Sequence, residues 1–190
     1  MNKHHFVRRR VGFTLIEALV TVSILAVMMA VGVPSMRDWI LSNRVKAGAA
    51  ELVTDLQLAR AETVRRNMQV QIIFRRDASQ SCYTVHTVGF AGNCSCTDGV
   101  GVACAGGLGD LNRHELKTVS APFNKGVDVT YAPARLQFDL HTALPIGLTT
   151  LQVNFDGGGT RQLRVITNAA GRPQVCAPAG SSLPGYAACI

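Results

Sequence analysis

The sequence carries no recognised catalytic signature. It has no G-x-S-x-G nucleophile elbow. The run Gly157-Gly158-Gly159-Thr160 has neither the lysine nor the spacing of a phosphate loop. His4, His5, His86, His114 and His141 stand in no catalytic context. Solvated polar residues and turns account for all of these, so no catalytic residue, cofactor or enzymatic activity is assigned. The chain has no internal repeat, and it lacks a strong charge once its N-terminus is set aside. The 19 Lys and Arg against 12 Asp and Glu give +7. Four of the basic residues, Lys3, Arg8, Arg9 and Arg10, precede Gly12, and the other 15 leave +3. Basicity concentrated in a short leader is a targeting feature and weak support for nucleic-acid binding.

What is present begins with an apolar run of 21 residues, Phe13 to Val33. That length crosses a bilayer as a helix. Basic residues lie before it, so the N-terminus is expected in the cytoplasm and everything after Val33 outside. Ala30-Val31-Gly32 offers the small residues of a signal-peptide cleavage site. Against a cleaved signal, the run exceeds a signal core, continues into an amphipathic helix and contains Glu17. A charged side chain deep in a bilayer costs about 2.5–3.5 kcal/mol on insertion scales, though less near an interface. Glu17 therefore calls for a partner or a purpose.

All six cysteines, Cys82, Cys94, Cys96, Cys104, Cys176 and Cys189, fall in the exported part. An oxidising compartment favours disulfides, and six cysteines allow 15 connectivities. Cys94, Cys96 and Cys104, with His86 or His114, offer metal ligands. Their spacing is not a zinc pattern, so no metal is assigned. Cys176 and Cys189 flank a tail rich in Pro and Gly and are expected to pair. Closing that loop contributes roughly 3 kcal/mol in the chain-entropy description. The other four are expected to pair within 82–104.

From 45 to 64, Val45, Ala49, Leu52, Val53, Leu56, Ala59 and Val64 recur at helical spacing. Arg44, Glu51, Asp55 and Glu62 fall on the other face, and Glu62 precedes Arg65 and Arg66 in the order that favours helical ion pairs. Pro34 removes one helix hydrogen bond, so a kink or local unwinding is expected there. A helix from Phe13 to Asn67 would be roughly 80 Å long. After Asn67 the pattern alternates. Segments 69–74, 82–88, 114–119, 127–131, 135–140, 151–155 and 162–167 read as strands, with 173–176 as an edge strand because it starts with Pro. Asp156 and the three glycines after it signal a hairpin. Residues 89–112 form a long loop rich in Gly and Cys. The fold class is α+β: a long membrane-spanning helix whose second half packs on an antiparallel sheet domain.

Gly12-Phe13-Thr14-Leu15-Ile16-Glu17, after its basic leader, resembles the signal of type IV pilins and pseudopilins. The stretch "LARAET" near the helix end, and later "LQFDLHTALP" and "LRVITNAAGRPQVC", resemble the GspH/FimT group of minor pilins and pseudopilins. The resemblance implies a leader at 1–12, an assembly helix at 13–34, an amphipathic half at 35–67 and a periplasmic sheet domain at 68–190. It implies cleavage by a prepilin peptidase between Gly12 and Phe13, N-methylation of Phe13, and Glu17 as the assembly residue. The implied partners are that peptidase, other minor and major pilins or pseudopilins, an inner-membrane assembly platform and the lipid bilayer. Some FimT-like members capture DNA through arginines near the C-terminal tail, including a G-R-x-R motif. The matching stretch here is Gly171-Arg172-Pro173-Gln174, with Gln174 in place of the second Arg. Arg161, Arg164 and Arg172 are the candidate residues for that alternative function, DNA binding.

Overall fold

A computed structural model describes residues 12–89, 94–100, 103–104 and 114–189. The basic leader and most of the expected 89–112 loop lie outside the described residues. The chain opens with helix α1, Leu15–Arg66, and continues into eight strands. These are β1 Val70–Arg76, β2 Gln80–Thr87, β3 Glu115–Pro122, β4 Asp128–Ala132, β5 Arg135–Phe138, β6 Gln152–Asp156, β7 Gln162–Thr167 and β8 Pro173–Cys176. Pro34 lies inside α1, whose helical assignment continues through it. Residues up to Trp39 form one compact unit and residues from Ile40 another.

In the second unit the strands make two antiparallel sheets, not one, in the orders β3-β2-β1-β5 and β4-β6-β7-β8. Alternation set each strand locally, and the sheets are separated by which strands find partners. β8 is an edge strand, as its first residue Pro173 requires. The β1–β2 turn is tightened by Asp77, whose Oδ1 accepts from the Ser79 and Gln80 amides at 2.6 and 2.8 Å. The β6–β7 hairpin closes with the Gly157 amide donating to the Arg161 carbonyl at 2.9 Å.

One apolar core joins the helix to both sheets. Val45, Ala49, Leu52, Leu56 and Ala59 meet Val70, Ile72, Phe74, Tyr83 and Val85 from one sheet. Val129, Val153, Phe155, Leu163 and Val165 enter from the other, and Leu183 from the tail. The 4-3-4-3 spacing of the helical residues keeps them on one stripe. Gly48 allows close approach: a Cβ there would stand 3.0 Å from the Phe155 ring.

Three helix positions depart from the sequence reading, one of them Glu62, placed on the other face and buried. Val64 is exposed, because the stripe has run past the sheets. Asp55, expected on the solvated face, is buried. Its carboxylate accepts from the Tyr83 hydroxyl at 2.7 Å and from Lys117 Nζ at 2.8 Å, and Lys117 also pairs with Glu51 at 2.9 Å. Burial works against charge on Lys117, but the bonds to Asp55 and Glu51 outweigh it and raise its pKa. Burial, then the neighbouring Asp55, push the Tyr83 phenol well above its ordinary range.

Three disulfides staple the domain: Cys82–Cys96, Cys94–Cys104 and Cys176–Cys189. The first ties the 94–104 segment to β2. The last closes the tail, where the Cys189 amide also donates to the Ala177 carbonyl at 3.0 Å.

Candidate assembly site and basic strand surface

The start of α1 is organised by Thr14. The Ala18 amide donates to the Thr14 carbonyl at 3.1 Å, and the Glu17 amide donates to Thr14 Oγ1 at 3.3 Å. Thr14-Leu15-Ile16-Glu17 thus has the sequence and half the geometry of a capping box. This signal was legible in the sequence and was missed there. It places the Glu17 carboxylate in the first helical turn, where the helix dipole favours negative charge.

The residues around Glu17 are exposed and, apart from Thr14 and Thr21, apolar. Phe13 is 78% exposed, and Leu15, Ile16, Leu19, Val20, Val22, Ile24, Leu25, Val27, Met28 and Met29 are likewise exposed. The most apolar stretch of the helix has none of its residues buried. A helix apolar all round requires lipid or other helices about it. Its hydroxyls are satisfied internally: Thr21 Oγ1 donates to the Ala18 carbonyl at 2.9 Å and Ser23 Oγ to the Leu19 carbonyl at 2.8 Å. Glu17 is left as the one ionisable side chain of the run from Phe13 to Val33. Gly12 and Phe13 precede the helix in non-helical backbone, and a Cβ at Gly12 would meet nothing within 4 Å.

The three candidate arginines do not form one cluster. Arg164 lies mid-strand in β7, half-buried, with Nε donating to Asn154 Oδ1 of β6 at 2.5 Å. Arg161 precedes β7 in the glycine turn, its Nε 3.4 Å from the Gly157 carbonyl. Arg172 follows β7 in the next turn and is exposed, its amide held by Asn168 Oδ1 at 2.9 Å. Six strand residues, about 20 Å, separate the two turns. Arg76 is engaged elsewhere, paired with Asp128 at 2.6 Å and stacked over the Phe123 ring at 4.5 Å.

The family described as type II transport protein GspH matches residues 48–171, and the prokaryotic N-terminal methylation motif matches residues 8–33. The chain is similar to a crystal structure of the type IV minor pilin FimU of Pseudomonas aeruginosa at 19% identity and a TM-score of 0.49, covering 70% of this chain and 88% of that one. A second crystal form of FimU gives 19% identity, a TM-score of 0.44, and coverage of 68% and 90%. No curated protein matches the chain.

Proposed function

The chain belongs to the family of the type II transport protein GspH, and from that premise we propose that it is a minor pilin or pseudopilin. It is a subunit of a type IV pilus or of a type II secretion pseudopilus. Prepilin peptidase removes residues 1–12 on the cytoplasmic side of the inner membrane, and the new Phe13 amine is N-methylated. The remaining chain is held by 13–34 with its sheet domain in the periplasm. Assembly moves that helix from lipid into a bundle of other pilin helices, where it primes the filament.

The observation that carries this reading is the single carboxylate of the apolar run, four residues after Phe13, within a segment that matches the methylation motif. Cleavage leaves a cation at Phe13, and methylation keeps it cationic. In a lipid-free helix bundle that amine needs an anion, and a neighbouring subunit's Glu17 supplies it by a charge-assisted hydrogen bond. Before docking, the carboxylate rests near the membrane interface under the helix dipole. Glu17→Ala is expected to insert, to be cut to a chain beginning at Phe13, and to drop out of the filament. Intact mass reads the first outcome, and co-purification with partner pilins reads the second. Normal incorporation of the variant would remove the role given to Glu17.

The alternative reading, DNA capture, is favoured by the exposure of Arg172 in a turn. The structural role is preferred because Arg164 is tied to Asn154 and Gln174 replaces the motif's second Arg.

A further inference from the structure

Cys94 and Cys104 are joined to each other, yet they do not stand alone. The ligand atoms of Cys94, Cys104 and His86 all lie within 4.8 Å of one another. Among the described residues this is where His, Cys and carboxylate groups converge in a set that could hold a metal ion. Cys94 and His86 are buried. Two thiolates and an imidazole are the soft donor set of a Cys2His zinc site with one open position.

Hydrogen bonds besides the disulfide hold the pair. The Ser95 amide donates to the Ala103 carbonyl at 2.7 Å, which holds the two cysteine-bearing ends side by side. The Ala103 amide donates to Glu115 Oε2 at 3.0 Å, which pins the same loop to β3. Glu115 is itself oriented by Thr118 Oγ1, at 2.6 Å from Oε1. His86 is fixed on β2 with the Gln71 side-chain nitrogen 3.5 Å from its Nε2. Turned over, that amide presents its oxygen to an Nε2–H, as the accepting outer partners of metal-bound histidines do, and leaves Nδ1 for an ion.

We propose that the dithiol form of this loop is a metal site, in which Cys94, Cys104 and His86 bind one thiophilic divalent cation such as Zn2+. The disulfide and the metal are alternative occupants of the same two sulfurs. Reduction by a phosphine and water gives two thiols and the phosphine oxide. Binding then releases two thiol protons as the thiolates and the neutral imidazole take the ion, with water in the fourth position. Donors around a tetrahedral Zn2+ stand about 3.5 Å apart, so opening the S–S bond and small side-chain rotations suffice. A bound ion keeps both sulfurs as metal thiolates and so delays closure of the disulfide in a newly exported chain.

Cobalt(II) is the probe, added to the full chain in detergent after anaerobic reduction with a water-soluble phosphine. The reduced chain is expected to take up one Co2+ with tetrahedral visible bands and thiolate charge-transfer absorption, and the oxidised chain none. Zn2+ should bleach the spectrum. Cys82→Ser with Cys96→Ser, and Cys176→Ser with Cys189→Ser, should keep it. Cys94→Ser with Cys104→Ser should abolish it, and His86→Gln should weaken binding at least tenfold. Absence of the spectrum in the reduced wild type, whether or not the fold survives reduction, overturns the proposal. So does a spectrum unchanged in His86→Gln or retained without Cys94 and Cys104.

Discussion

Asp55 and Glu62 show how differently two carboxylates of one helix behave. Asp55 is a buried acceptor for a phenol and an ammonium from two strands of one sheet. Replacing it with Ala leaves the buried Tyr83 hydroxyl without its acceptor, which costs about 1–3 kcal/mol. Chemical denaturation of the chain in detergent should show Asp55→Ala with a lower midpoint and Tyr83→Phe less affected, since the latter removes donor and demand together. Equal stability of wild type and Asp55→Ala would mean the pair is idle. Glu62 instead works within the helix. Bonds from Arg65, then Arg66, hold its carboxyl down from 4.5 to about 2. A depressed carboxyl contributes stability that is complete above pH 4.5 and is lost as the pH falls towards 2. Glu62→Gln should therefore destabilise at neutral pH and approach the wild type near pH 2. An undiminished difference there would show that the ion pairs are not the cause.

At the scale of elements, the tail from Ala177 to Cys189 is held by few apolar groups. Leu183 reaches the core, the Ser182 amide donates to the Thr160 carbonyl at 2.8 Å, and Ser181 Oγ donates to the Gln162 carbonyl at 2.6 Å. The Cys176–Cys189 bridge closes the rest. Cys176→Ser with Cys189→Ser should cost about 3 kcal/mol through the restored freedom of the unfolded loop. It should also expose residues after Ala177 to protease while β1 to β7 stay protected. Cleavage at wild-type rates would assign the tail's order to its hydrogen bonds and Leu183 alone. Helix α1 shows the same division between local and distant causes. Its start is set by Thr14 within one turn, whereas the choice of buried residues from Val45 to Ala59 needs both sheets.

For the whole molecule, charge sets how strongly DNA is expected to bind. The arginines flanking β7 lie about 20 Å apart and the chain carries +3 beyond its leader. Duplex DNA is therefore expected to bind weakly at physiological salt. Any binding should have a shallow salt dependence of about one or two phosphate contacts. Gel shift at increasing salt, with Arg161, Arg164 and Arg172 each changed to Gln, checks this. Tight binding that fails on Arg172→Gln alone would make DNA capture the leading function.

The sequence by itself determined what depends on neighbours along the chain. The apolar run, the methylation motif around Gly12 and Phe13, the lone carboxylate at Glu17 and all eight strand segments are patterns of period 3.6, period 2 or fixed short spacing. Even the Thr14 cap was written within four residues. Tertiary structure alone decided what depends on residues far apart. Six cysteines left many pairings open, and the ties of Cys96 to β2 and of Ala103 to β3 help put Cys94 against Cys104 and beside His86. Alternation could not say that eight strands divide into two sheets, because that follows from long-range hydrogen-bond pairing. Asp55 read as a solvated residue because helical phase places it at the margin of the apolar stripe. Tyr83 and Lys117, 28 and 62 residues away, supply the partners that make its burial stable.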